Sequence, residues 1–218
     1  KTPLTSIMGY AEIIEAGIAK PTDVVPFAGK IRTEAQRLLS LIEDIIRLSQ
    51  LDAGGEEIPF EPIELQPLCC TVRSRLQSKA DRLGLKIECT GENATVSGQR
   101  RTLEQMVFNL ADNALAYNRP NGSVTIETGT DSDDAPFVRV SDTGIGIAPA
   151  DQKRVFERFY RVDKSHSKMT GGTGLGLSIV KHGAALHGAA LTLDSTLNVG
   201  TRITLTFPKY RKYRNRHA

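Results

Sequence analysis

Arg101-Thr-Leu-Glu-Gln-Met-Val-Phe-Asn-Leu-Ala-Asp-Asn-Ala-Leu-Ala-Tyr117 places Leu103, Met106, Val107, Leu110, Ala114 and Leu115 at the spacing of a helix with one core-facing stripe. Asn109 and Asn113 are four apart and therefore stand one above the other on one face. Asn is a poor helix former, yet two stacked amides suit phosphate oxygens and a hard cation such as magnesium. Two glycine-rich segments follow, Asp142-Thr-Gly-Ile-Gly-Ile147 and, about thirty residues on, Gly171-Gly-Thr-Gly-Leu-Gly-Leu177. In the first a carboxylate precedes glycines that let backbone approach a flat ligand. In the second glycines run into an apolar helix whose free N–H groups and dipole favour phosphate. Alone, the asparagines read as a solvated stripe and each glycine run as a turn. Together they read as two walls of one nucleotide pocket. Neither Rossmann spacing nor a Walker-type Gly-Lys-Ser/Thr is present. Asp142-Thr143-Gly144 also matches the triplet of aspartic proteases, which a predominantly helical pattern opposes.

The order Asn109-x-x-x-Asn113-Ala, Asp142-x-Gly-x-Gly, Phe156-Glu-Arg-Phe-Tyr-Arg-Val-Asp163, Gly172-Thr-Gly-Leu-Gly-Leu177 and Val199-Gly-Thr201 resembles the N, G1, F, G2 and G3 boxes of sensor histidine kinases. Lys1-Thr-Pro-Leu-Thr-Ser-Ile-Met-Gly-Tyr-Ala-Glu12 resembles the segment following that family's phosphoaccepting histidine, whose pattern is His-Glu-x-Lys/Arg-Thr-Pro-Leu. That histidine is expected just upstream of Lys1. His166, His182, His187 and His217 are expected to be ordinary imidazoles rather than acceptors.

The resemblance implies the cytoplasmic catalytic core of a sensor histidine kinase, with ATP and Mg2+ as cofactors. The γ-phosphoryl passes to the upstream histidine and then to an aspartate in the receiver domain of a response regulator. Asp142 would accept a hydrogen bond from the exocyclic amine of adenine, with Gly144 and Gly146 allowing backbone contact. Asn113 would coordinate magnesium, Asn109 would help hold phosphate, and Tyr117 would pack near base or ribose. Gly172, Gly174 and Gly176 would hinge a lid running from Arg158 to Thr170, with Thr173 and Thr201 also lining the ATP site. Leu175 would begin the helix over the phosphates. Phe156 and Phe159 resemble the lid's apolar anchors, and Arg161 is a catalytic candidate facing the γ-phosphate or the partner helix. Thr2 stands where the family orients water for dephosphorylating the regulator. Ala116 departs from the pattern, since many members carry a lysine there; Arg161, Lys164 or Lys168 would have to replace that contact. The alternatives are a nucleotide-binding dimeric scaffold without catalysis, which Ala116 favours, and an ATPase of another branch of the fold.

The first fifty or so residues read as a helical hairpin. Leu4, Ile7, Ala11, Ile14 and Ile18 form one stripe, Ile31, Ala35, Leu38, Ile42 and Ile45 a second, and Lys20-Pro-Thr-Asp23 the break between them. Two such helices are expected to bury both stripes by pairing with a second chain in a four-helix bundle, the alternative being monomeric packing onto the domain that follows. Gly54-Gly55-Glu56-Glu57 marks a boundary. Strands are expected near 60–63, 85–90, 94–97, 123–127, 137–141, 190–195 and 201–207, with helices near 65–83 and over the asparagines. This is an α+β chain: a hairpin at 1–55, a two-layer α/β sandwich at 56–208 that the resemblance identifies with the Bergerat-type ATP-binding fold, and a basic tail at 209–218.

The formal charge of +3 is local, because Lys209, Arg211, Lys212, Arg214 and Arg216 leave a net −2 for all that precedes them. The tail is expected to be solvated, with no nucleic-acid partner. No run approaches the roughly 18 apolar residues of a membrane span, so any membrane anchor belongs to a parent sensor segment. Cys69, Cys70 and Cys89 are an odd set without zinc spacing and read as reduced packing thiols.

Overall fold

The computed structural model describes residues 2–52, 59–162 and 173–210. The expected boundary at Gly54–Glu57, most of the lid with Lys164, His166 and Lys168, Gly171 and Gly172, and the tail from residue 211 with His217 lie outside the described residues.

Helices α1 (Thr2–Glu15) and α2 (Pro21–Asp52) form the hairpin. Pro21 opens α2, where a missing N–H is harmless and its fixed φ already suits a helix. At about 1.5 Å per residue, α2 is roughly 48 Å long. The expected apolar stripes are present but only partly covered. Leu4 is 53% exposed, Ile42 45% and Ile45 45%. Ile18, placed in the first stripe, lies past the end of α1 at 74% exposure.

The rest of the described chain follows as β1 (Glu61–Glu64), α3 (Leu65–Leu83), β2 (Lys86–Gly91), β3 (Thr95–Gly98), α4 (Arg100–Ala116), β4 (Ser123–Thr130), β5 (Pro136–Asp142), α5 (Gly176–Leu186), β6 (Ala190–Thr196) and β7 (Gly200–Thr206). The main sheet has the order β2-β4-β5-β7-β6 and is mixed, since β2 runs parallel to β4 and the other pairs are antiparallel. β1 and β3 do not join it. They pair with each other in a separate antiparallel ladder, Ile63 opposite Val96.

One face of the sheet is covered by helices. Val124, Ile126, Val138, Val140, Ile203 and Leu205 alternate with polar neighbours along β4, β5 and β7 and are buried against α3 and α4. Thr128 continues the inward row of β4 at 1% exposure, its hydroxyl donating to the Glu92 carbonyl at 2.9 Å. From α4 the core receives Leu103, Met106, Val107, Leu110, Ala114 and Leu115, the six residues of the sequence stripe. α3 contributes Leu68, Val72, Leu76 and Ala80, then stops at Gly84, whose left-handed conformation caps the helix. Lys79–Asp112 and Arg75–Glu104 ion pairs join α3 to α4 at the surface.

Candidate nucleotide site

α4 touches both glycine segments. At its C-terminal end the carbonyl of Tyr117 accepts the N–H of Ile145 at 3.1 Å, tying the helix to the loop after Asp142. A turn and two turns earlier, Asn113 and Asn109 face the start of α5. A Cβ placed on Gly176 would lie 3.7 Å from Asn113 Nδ2 and from Asn109 Cγ. That is ordinary contact, so the protein's own packing does not demand glycine there. The hydrogen atom leaves space between the two amides and the first turn of α5.

The two asparagines differ in what they have left to offer. Asn109 is held at both ends: its Oδ1 accepts from Gln105 Nε2 at 2.8 Å and its Nδ2 donates to the Gly176 carbonyl at 3.2 Å. The Asn113 amide has no hydrogen-bond partner among the described residues. Asn109 thus braces helix against helix, while Asn113 keeps a full set of donors and lone pairs.

Asp142 ends β5. Its Oδ1 accepts the N–H of Gly144 at 2.8 Å and of Thr201 at 3.2 Å, and among the described residues nothing bonds Oδ2. Burial pushes its carboxyl above the ordinary carboxylate range, and the two N–H donors pull it back. The carboxylate is therefore fixed in orientation through one oxygen and open at the other. A side chain on Gly144 would strike the Tyr117 carbonyl at 2.4 Å. Gly146 has φ +67°, and a Cβ there would meet the Thr196 carbonyl at 2.1 Å. Both glycines are required by the backbone itself.

A set of residues that sequence reasoning missed holds this loop. Asn118 Oδ1 accepts from the Thr143 hydroxyl at 3.3 Å, and its Nδ2 donates to the Ser123 carbonyl at 3.0 Å. Ser195 Oγ accepts the N–H of Ile147 at 2.8 Å and lies 2.9 Å from Thr201 Oγ1. Gln152 Nε2 donates to the carbonyls of Ile147 and Ser195. Asn118 follows directly on a helix end, a place where Asn commonly turns the chain. Ser195 and Gln152 carry no local signal, because their roles depend on strands and turns brought together by the fold.

The chain before residue 163 and after residue 172 is joined by a backbone hydrogen bond. Phe159, at φ +63° and 58% exposed, donates its N–H to the Gly174 carbonyl at 2.9 Å. Phe156 is half-buried, Phe159 projects outward, and Arg161 is half-buried. Thr173 Oγ1 accepts the N–H of Leu175, and Leu175 is fully buried at the N-cap of α5. Leu175 and Ile179 pack against Leu41 of α2, so the first turn of α5 is also where the hairpin touches. Tyr117 is 39% exposed at the end of α4. Thr2 opens α1, away from this cluster in sequence, and its side chain lies outside the described residues.

Of the histidines, His182 lies within α5. His187 is buried at 5% exposure, more than expected of an ordinary imidazole. Its Nε2 accepts the N–H of Gln99 at 3.0 Å, so the proton is on Nδ1, which donates to the Gly183 carbonyl at 2.7 Å. Phe60 and Phe207 lie against its ring. It joins the end of α5 to the start of α4.

The family described as histidine kinase-, DNA gyrase B- and HSP90-like ATPase matches residues 98–211, and the His Kinase A (phospho-acceptor) domain matches residues 1–54. The chain belongs to the sensor histidine kinases. The sensor-like histidine kinase SenX3 of Mycolicibacterium smegmatis is 38% identical over 212 residues, which cover 96% of this chain and 55% of that protein. The chain thus spans about half the length of the curated relatives it matches. Among solved structures, full-length ShkA in complex with AMPPNP superposes with a TM-score of 0.71 at 26% identity, covering 95% of this chain and 43% of that one. The Acinetobacter baumannii histidine kinase AdeS has a TM-score of 0.78 over 96% of both chains at 23% identity, a likeness of fold.

Proposed function

We propose that this chain is a kinase core that binds magnesium-ATP between α4 and α5 and donates the γ-phosphoryl to a histidine just upstream of Lys1, from which it passes to an aspartate of a response-regulator receiver domain. The observation that carries the reading is that one helix presents an unpartnered amide, Asn113, to the glycine start of α5 while its end grips the loop of a carboxylate with one open oxygen, Asp142. ShkA, solved with AMPPNP, supports an adenine nucleotide as ligand for a chain of this shape.

The residues fit such a ligand. Asp142 Oδ2 would accept from the adenine amine, and guanine presents a carbonyl where adenine has that donor, which leaves the carboxylate opposed. Tyr117 would lie near base or ribose, with Gly144, Gly146 and Thr201 shaping the wall. Phosphates would meet the α5 N-terminus at Thr173, Gly174, Leu175 and Gly176, with Gly172 and Phe159 at the lid and Asn109 bracing the helix pair. Asn113 would hold Mg2+, which when bound neutralises charge on the transferring phosphoryl group. Mg2+ commonly binds through few protein groups together with substrate phosphates, which a single amide at Asn113 would allow. Arg161 would face the γ-phosphate, and Thr2 would orient water for regulator dephosphorylation. Phosphoryl transfer asks chiefly for alignment, so binders rather than strong bases are the expected inventory.

The hairpin, 1–55, is proposed as the dimerisation unit, 56–208 as the ATP-binding unit and 209–218 as a solvated tail. By the family resemblance, the proposed setting is the cytoplasmic side of a parent sensor; no helix among the described residues is long and apolar enough to cross a membrane. Ala116, at the last position of α4, favours one rival, a dimeric scaffold that binds nucleotide without transferring phosphate. Incubation with radiolabelled ATP of a chain extended upstream through the histidine separates the two. Acid-labile label supports the kinase, and ATP binding without label supports the scaffold.

A further inference from the structure

One flank of α3 runs antiparallel to the edge strand β2 as a three-rung ladder. Gln66 Nε2 donates to the Gly91 carbonyl at 3.0 Å, Cys70 meets Cys89, and Arg73 Nε donates to the Ile87 carbonyl at 3.2 Å. On the helix the rungs are spaced four and three, and on the strand two and two, so the outer rungs fix the register of the middle one. There the Cys70 thiol donates to Cys89 with the sulfurs 2.9 Å apart. Non-bonded heavy atoms ordinarily rest about 3.5–4.0 Å apart, whereas a disulfide bond is about 2.05 Å. The pair already stands inside ordinary contact, and closing the bond takes a sulfur shift of about 1 Å.

We propose that Cys70 and Cys89 are an oxidation site, closed by hydrogen peroxide into an intramolecular disulfide that staples α3 to β2. This is independent of the nucleotide site. Both residues are half-buried, which leaves them open to a small oxidant. Cys69 is 0% exposed in the core on a different face of α3, and burial drives its thiol far upward, so it takes no part. Burial pushes the Cys89 thiol up to about 12. In the proposed order Cys89 is the resolving thiol. Peroxide transfers one oxygen to Cys70 sulfur, giving a sulfenic acid and one water. Cys89 sulfur then attacks Cys70 sulfur, the S–O bond breaks, and the hydroxide leaves with the Cys89 proton as a second water. The two sulfurs lose two electrons, and one hydrogen peroxide becomes two waters.

The test is hydrogen peroxide on the native chain, followed by alkylation, intact mass and peptide mapping. The expected result is loss of two of the three thiols, a mass lower by two hydrogens, a linked peptide pair holding Cys70 and Cys89, and reversal by dithiothreitol. The thermal midpoint should rise by roughly 6–12 °C, the usual effect of closing a loop of about twenty residues. Cys69→Ala should keep the bond, and Cys70→Ser or Cys89→Ser should each remove it. Three persistent thiols, oxygen addition without a cross-link, a link through Cys69 or a bond between two chains would each overturn the proposal, and the mapping of the native chain depends on no variant folding.

Discussion

At the scale of single residues, the site depends on atoms left open by neighbours that hold the rest of a side chain still. Asp142 is the clearest case, since two backbone N–H groups fix Oδ1 and leave Oδ2 for a ligand donor. Asp142→Ala should weaken ATP binding by about 1–3 kcal/mol, the cost of an unmade buried hydrogen bond, and calorimetry showing equal affinity for ATP and GTP in the parent would remove adenine recognition from Asp142. Gly146→Ala places a methyl group against the Thr196 carbonyl at positive φ. It should lower stability by more than about 1 kcal/mol in urea unfolding. His187 adds a pH dependence. Burial depresses its pKa below 6.5, against a smaller opposing effect of its Gly183 hydrogen bond. The unfolded chain therefore takes up this proton first as pH falls, so the stability is complete above about 6.5 and lost between there and the folded pKa. Calorimetric midpoints should drop over that window, and His187→Gln should flatten the drop. As candidates, Asp142, Asn113 and the glycines are legible in the sequence because their spacing is local. Ser195, Gln152 and His187 are not, because each bonds residues more than forty positions away.

At the scale of elements, periodicity located nearly everything. The α4 stripe was read from its 3.6-residue repeat and all six of its residues are buried. The α3 bounds coincide with Leu65 and Leu83 because Gly84 ends the helix. What alternation could not show was partnership: β1 and β3 have the same pattern as sheet strands but pair only with each other. The hairpin poses the same question between chains. Leu41 and Ile42 are adjacent on α2, yet Leu41 packs on Leu175 and Ile179 while Ile42 stays 45% exposed. Successive helix residues point about 100° apart, so Leu41 faces the nucleotide unit while Ile42 is left for the proposed second copy. Ile42→Asp should yield monomers, or an unfolded hairpin, with the nucleotide unit folded, because an unpaired carboxylate is not tolerated in a bundle core. Leu41→Asp should leave the dimer and loosen the contact with α5. Light scattering reads the first, and hydrogen exchange at Leu175–Ile179 the second. A parent that is monomeric at micromolar concentration contradicts the bundle.

At the scale of the whole molecule, the hairpin and the nucleotide unit must cooperate, because the phosphoryl donor and its acceptor are proposed to sit on different parts. Attack by an imidazole nitrogen on the γ-phosphate needs the two held in line, and such alignment contributes more than any single contact. His187 is committed to Gln99 and Gly183, and His182 lies on α5 within the nucleotide unit itself. Neither is on the hairpin. The 218-residue chain should therefore bind ATP without labelling itself, and the chain extended upstream through the expected histidine should acquire label. That label should be a phosphoramidate, stable in base and labile in acid, unlike serine or threonine phosphate. Asn113→Ala in the extended chain should lower labelling by at least tenfold, equivalent to about 1.4 kcal/mol of transition-state stabilisation, because Asn113, whose amide has no partner among the described residues, is proposed to face the phosphates. Strong acid-labile label on the shorter chain would instead place the acceptor at His166, His182, His187 or His217. Undiminished labelling by the Asn113→Ala variant would move the metal to other ligands.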